Sequence, residues 1–205
     1  MSIIDIPTAL SITRMTWAQQ RNDSEFRSMF GAQAIEVSAP LWAVSFEVTT
    51  KRDSDSMVGE WKALLLLLRG RVNQIALYDM GRPTPLGTMR GAMTLSIAAA
   101  QGDTFLNIVA AGENAKTILK GDMLGIGSTI TQQVVMATAD AISDGSGNIL
   151  VNFEPPIRNV FPIGEPVTWD KPKALFRRTD SKTGWDYNSV FVSGFSLDVL
   201  EDWRP

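Results

Sequence analysis

Apolar and polar residues alternate along much of this chain, and a period of two marks a half-buried β-strand. Residues 34–37 and 42–48 follow it, with Pro40 between them. In the second run Trp42, Val44, Phe46 and Val48 share one face, because successive strand side chains point to opposite sides. Residues 72–78 and the shorter run 104–109 are further candidates. Residues 121–153 read as a meander: a strand at 123–126, another at 130–138, a turn at 143–148, and a strand at 149–153. The glycines of that turn supply positive φ at no steric cost. Residues 190–200 alternate again, with Phe191, Phe195, Leu197 and Val199 as the apolar members.

One stretch has a helical period instead. Met57, Trp61, Leu64, Leu65 and Leu68 recur at the spacing of one helix face. Ser54, Asp55 or Ser56 can cap it, Glu60 suits the early turns, and Gly70 stands where a left-handed C-terminal residue belongs. Leu66 and Leu67 make this helix apolar nearly all round, so burial on more than one side is expected. A short second helix is expected around 114–119.

Charge divides the chain further. Residues 1–90 carry 10 basic and 9 acidic groups, residues 91–170 carry 3 and 8, and residues 171–205 carry 6 and 5. The acidic middle third is rich in Ala, Gly, Thr and Ile, and it is bordered by the turn-formers 82–87 and 170–172. It reads as an inserted subdomain at 91–170, with 1–90 and 171–205 forming one discontinuous domain. The alternative is a single domain with an acidic patch.

Composition removes several kinds of chemistry. The 205 residues include no Cys and no His, which excludes disulfides, thiol nucleophiles, Cys/His zinc sites and His-dependent triads. A net charge of −3 argues against binding nucleic acid by phosphate neutralisation. The first residues, Met-Ser-Ile-Ile-Asp-Ile-Pro, resemble no signal peptide, and the longest apolar run, 63–68, falls far short of a membrane span. Synthesis in the cytoplasm is the expectation.

The remaining motifs are weak as chemistry. Residues 121–127 contain G-x-G, but the third dinucleotide-binding glycine is missing and the surroundings are β-rich, so Gly-lined turns explain them better. Asp140, Asp144, Gly145 and Asn148 lack the spacing of a calcium loop and read as a hairpin turn. Carboxylate pairs such as Glu154/Glu165, or the group Asp198, Glu201 and Asp202, have the residue types of a two-carboxylate glycoside hydrolase, but any chain with 22 acidic residues offers such pairs. No catalytic residue, cofactor or metal is therefore expected. Interface candidates stand out more. Arg69 and Arg71 follow the leucine helix and Asp79 closes the next strand, although Arg69 alone is also what a helix C-terminus favours. Trp42 and Trp61 lie on apolar faces, whereas Trp185, with Tyr187 beside it, lies in a polar loop and Trp203 in the C-terminal Glu-Asp-Trp-Arg-Pro. Exposed Trp is a common interface anchor.

The stretch 61–79, Trp-Lys-Ala-Leu-Leu-Leu-Leu-Leu-Arg-Gly-Arg-Val-Asn-Gln-Ile-Ala-Leu-Tyr-Asp, resembles the helix-then-strand unit of tail proteins from long-tailed bacteriophages. So do Lys120-Gly-Asp-Met-Leu-Gly-Ile-Gly-Ser128, Val151-Asn-Phe-Glu-Pro-Pro-Ile-Arg158, Pro172-Lys-Ala-Leu-Phe-Arg177 and Phe195-Ser-Leu-Asp-Val-Leu-Glu201. Among these proteins the chain is most similar to the distal tail protein. That resemblance implies a mainly β fold: a discontinuous β-sandwich or split-barrel belt domain with one buried helix, carrying an inserted small β-barrel. Some members bear a galectin-like or oligonucleotide/oligosaccharide-fold second domain. It also implies a homo-oligomeric, hexameric ring at the virion tail tip, partnered by the tail tube protein and the hub or baseplate protein, with DNA passing through and no membrane partner. A tail tube subunit is a variant of this reading. The alternative is a carbohydrate-binding β-module for host-surface recognition, with Trp185 and Tyr187 as its platform.

Overall fold

The computed structural model describes residues 2–7, 10, 12–50, 56–185 and 193–202, without the side chains of residues 49, 50, 56, 193 and 194. In chain order the strands are β1 (Ile3–Asp5), β2 (Ile12–Ser28), β3 (Gly31–Thr50), β4 (Gln74–Leu77), β5 (Met93–Leu95), β6 (Phe105–Ala110), β7 (Thr117–Ile118), β8 (Met123–Ile126), β9 (Gln133–Ala137), β10 (Ala141–Ile142), β11 (Asn148–Glu154), β12 (Pro166–Thr168), β13 (Ala174–Arg178) and β14 (Ser193–Glu201). Helix α1 (Ser56–Leu67) lies between β3 and β4, and a single 3₁₀ turn, Thr129–Thr131, precedes β9. The protein is mainly β, with one α-helix among the described residues and a closed small barrel.

The chain divides into two compact units. Among the described residues, the first comprises those of Met1–Ala18, Trp42–Gly81 and Ala174–Asp202, and the second those of Gln19–Leu41 and Arg82–Lys173. The charge pattern set the borders at 90/91 and 170/171, whereas the packing changes over at 81/82 and 173/174. Residues 82–90 are fastened to the barrel: Arg82 donates to the Gly121 carbonyl at 3.0 Å, and Met89 is buried in the barrel core. Pro172 packs closely against Gly125 of β8. Local charge content carries no information about either contact.

The first unit holds the core of a six-stranded sheet in the order β1-β4-β13-β14-β3-β2. Its β1–β4 pair is parallel, and the pairs β4–β13, β13–β14 and β14–β3 are antiparallel. The registers align Val44 with Val199, Phe46 with Leu197 and Val48 with Phe195, which puts these apolar residues on one face. Helix α1 covers that face. Trp61 meets Phe46 and Phe195 with ring centroids 5.6 Å apart in each pair. Val58, Leu64, Leu65 and Leu68 are buried with it. The helix ends as expected at Gly70 (φ +62), with Arg69 already left-handed at φ +48. The capping candidates Ser54 and Asp55 lie outside the described residues, and the side chain of Ser56 is not described.

Burial of α1 on more than one side does not occur within the chain. Leu66 and Leu67 are 58% and 56% exposed. The sheet has one apolar face to offer, and the helix already occupies it.

The second unit is built around a closed barrel in the order β11-β6-β5-β12-β8-β9, with every neighbouring pair antiparallel. Its strands follow the expected alternation: Leu106, Ile108 and Ala110 of β6, and Ile149, Val151 and Phe153 of β11, all point inward. An oligonucleotide/oligosaccharide fold closes with five strands; this barrel closes with six. The helix expected at 114–119 is absent. Ala115 has φ +53, which breaks a helix, and Thr117 and Ile118 pair with β10 instead.

The largest departure from the sequence reading is the hairpin of β2 and β3. Residues 12–28 are polar apart from Ile12, Met15, Trp17, Ala18 and Phe26, and from Gln19 to Ser28 only Phe26 is apolar, so no alternation announces the outer strand. Residues 31–50 run as one strand straight through Pro40.

Candidate functional site

The hairpin of β2 and β3 contains 17 and 20 residues in its two strands, far longer than ordinary strands. Its inner half belongs to the six-stranded sheet. Trp17 there packs edge-on against Trp42 and Phe176, at 5.9 and 5.5 Å. The outer half, Gln19–Leu41, groups with the barrel unit. Arg21 bridges Glu36 of the same ribbon at 3.3 Å and Glu154 of the barrel at 3.4 Å, and Arg158 donates to the Pro40 carbonyl at 3.3 Å.

Beyond Arg21 the ribbon stands in solvent. Of residues 21–39 all are exposed except Ser24, which is intermediate. Residues 22–28 extend by about 20 Å at the usual strand rise. Few side-chain contacts lock the end: Asn22 donates to Ser38 Oγ at 3.3 Å, and Ser28 Oγ donates to the Gly31 carbonyl at 3.2 Å. The turn itself is Met29-Phe30, where a hairpin usually draws on Gly, Asn or Asp. Met29 is 93% exposed, Phe30 95% and Phe26 63%. Two such rings leave on the order of 300 Å² of aromatic surface in water. The largest apolar patch of an ordinary monomer is of that order, and such patches are often functional.

A second open apolar surface lies in the first unit. Leu66 and Leu67 face outward from α1, and Val72, in the turn after it, is 54% exposed. The backbone after the turn stays close to the helix end: the Asn73 side chain donates to the Leu67 carbonyl at 2.7 Å, and the Ser2 N–H donates to the Asn73 side chain at 3.1 Å. Ile3, next to Ser2, is 42% exposed.

The residues singled out from sequence do not form one site. Arg71 donates to the Thr179 carbonyl, and with Arg177, Arg178 and Thr179 it lines a shallow depression. Asp180 borders that cluster. The Lys182 N–H holds its carboxyl below the usual carboxylate range, with Arg178 and Arg71 adding to the effect. Arg69 is exposed at the helix end. Asp79 is used locally, accepting the Gly81 N–H at 2.8 Å. Trp185 is 44% exposed, and Lys62 of α1 sits 5.4 Å from the centre of its ring. Tyr187 and Trp203 lie outside the described residues.

Two of the paired carboxylates, Glu201 and Asp202, hold parts of the fold together. Glu201 accepts the Trp42 N–H at 2.9 Å, while Asp202, the next residue, takes Gln74 at 2.6 Å and Arg177 at 2.8 Å. Asp122, within the G-x-G stretch, is fully buried and accepts the N–H groups of Leu86, Gly87 and Leu119. Asp144 closes its turn on the N–H groups of Ser146 and Asn148, both at 2.8 Å. Among the described residues, no group of three acidic side chains is placed to hold a metal ion. No described helix is long and apolar enough to cross a membrane.

Comparison with protein-family models finds no match, and comparison with curated proteins finds none either. The geometry therefore carries the functional argument. Sequence reasoning passed over Phe26, Met29 and Phe30. The available signal was a Met-Phe pair between two polar runs, just where a turn would have wanted small polar residues.

Proposed function

We propose that this chain is a structural ring component of a phage tail tip. It forms a homo-oligomeric, hexameric ring in the virion that joins the tail tube protein to the hub or baseplate protein. The observation that supports this is the exposed ribbon. A two-stranded hairpin alone is marginally stable in water, and this one ends in three exposed large apolar side chains. A surface of that kind is suited to being covered in an assembly. The resemblance in the helix-then-strand unit supplies the kind of assembly. Closed rings of identical subunits use head-to-tail contacts between two different patches, and the chain has two.

The test is light scattering coupled to size exclusion at high protein concentration, with negative-stain images of the same peak. The expected result is a discrete ring; six copies of the 22.4 kDa chain correspond to about 134 kDa. Long tubes point to a tail tube subunit instead. A strict monomer turns attention to the carbohydrate-binding reading and to a glycan array, with Trp185→Ala as the control.

A further inference from the structure

We propose that the depression at the end of β13 binds a phosphate group, either free or as a small phosphate monoester. All its residues belong to the first unit. The proposal is independent of the ring reading above, and either can fail without the other.

Two loops lying against each other build the walls. Arg71 stands in the turn after α1, while Arg177 and Arg178 end β13 opposite Leu200 and Val199 of β14. A Cβ at Gly70 would come within 2.9 Å of the Ser181 carbonyl oxygen, so the turn that carries Arg71 is seated on the loop that follows β13. The depression measures about 360 Å³, a volume found among small-ligand sites.

Two of the three guanidiniums bond no carboxylate among the described residues. Arg71 donates to the Thr179 carbonyl. Arg178 gives its terminal nitrogens to the Thr183 hydroxyl at 2.8 Å and the Lys182 carbonyl at 2.7 Å, and its Nε is buried with no acceptor among the described residues. These acceptors are neutral, so they fix the side chains without cancelling their charge. Arg177 is held from behind: its Nε meets the buried Asp202 at 2.8 Å, and its side chain stays 44% exposed. A guanidinium carries five N–H donors, so Arg71 and Arg177 keep donors for a ligand.

The carboxylates nearby are engaged elsewhere or stand at the rim. Glu201 accepts the Trp42 N–H in the interior, and Asp180 accepts the Lys182 N–H at 2.9 Å while offsetting part of the charge of Arg178 and Arg71. Asp198, whose carbonyl accepts the Thr179 N–H, is exposed outside the lining residues. Arg69 and Lys182, both exposed, add positive charge on the same two loops.

Direction selects the ligand. Successive strand residues send their side chains to opposite faces, so Arg177 and Arg178 approach from different sides and Arg71 from the helix turn. Donors arriving from separate directions suit a tetrahedral group with oxygens all round, whereas a planar carboxylate is satisfied by one guanidinium fork. A nucleic-acid strand is tracked by a charged groove, and these arginines gather at a single depression. Leu200 adds an apolar wall for the organic part of a monoester.

The test is an NMR titration of the full, isotope-labelled chain, with sodium phosphate replacing sodium chloride at constant ionic strength. Saturable shifts are expected at the Arg71 and Arg177 Nε–H signals and the Thr179 amide. Arg71→Gln, a change at an exposed side chain, is expected to weaken binding about tenfold, the worth of one charged hydrogen bond. Arg71→Lys is expected to recover only part of the loss, because an ammonium lacks the planar fork. Arg177→Lys keeps a cation for Asp202 and is the second variant, also expected to bind more weakly. Phenyl phosphate binding more tightly than phosphate assigns the monoester, and equal binding assigns the free ion; both support the site. Shifts that never saturate, equal shifts with sodium acetate, or tighter binding of a DNA duplex overturn the proposal. So does unweakened phosphate binding by folded Arg71→Gln and Arg177→Lys.

Discussion

The carboxylate of Glu201 accepts the backbone N–H of Trp42 at 2.9 Å in the buried interior of the first unit. This joins the last residue of β14 to β3 beyond the last ladder pair, Leu200 with Ala43. A side chain thus continues the pairing at the end of the strand. Removing it leaves a buried donor without its acceptor, which costs about 1–3 kcal/mol. Glu201→Ala is expected to lose that much in urea unfolding followed by tryptophan fluorescence. Glu201→Gln keeps an acceptor oxygen and is expected to lose less.

Asp122 plays the same part in the barrel with more partners. Its carboxylate gathers the N–H groups of Leu86, Gly87 and Leu119, at 2.7–2.9 Å. Asp122→Ala is expected to destabilise the barrel by roughly 3 kcal/mol, since one buried and two part-buried donors lose their acceptor together. Hydrogen exchange at those three amides is expected to rise first. Gly87→Ala makes an independent check, because a Cβ there would run into the Thr117 carbonyl oxygen.

Asp144 should titrate below an ordinary aspartate. Its carboxyl is held down by the backbone N–H and side chain of Asn148 and by the N–H of Ser146. A depressed folded pKa means that the turn's contribution is present above the unfolded value, about 3.9, and is lost as pH falls through the folded one. Carbon-detected NMR titration is expected to show a midpoint below that of a model aspartate. Asn148→Ala is expected to move it back up.

Exposed tip residues should matter to assembly and not to folding. Met29→Ser and Phe30→Ser alter side chains that are 93% and 95% exposed. Monomer stability is expected to stay within about 0.5 kcal/mol of the parent, as for other surface changes. Under the proposed function, the oligomer seen by light scattering is expected to dissociate. Unfolding curves and light scattering on the same samples separate the two effects.

The alternating pattern of 42–48 and 149–153, the leucine helix and its glycine stop were all legible in the sequence. In each, one face or stripe is buried against a partner, and selection for burial writes a period into the residues. The turn at Asp144 was legible because its side chain bonds its own backbone nearby. The cysteine and histidine counts settled by themselves which chemistries the chain lacks.

Tertiary structure decided the rest. A ribbon exposed on both faces has no core to alternate against, so the outer part of β2, residues 20–28, left no apolar pattern. Asp122 and Gly87 lie 35 positions apart in the chain, and only closure of the barrel brings them together. The outward leucines of α1 looked like burial in sequence and are open in the folded chain. Hydropathy records that a side chain is selected to leave water, whereas the fold shows whether this chain or another one covers it.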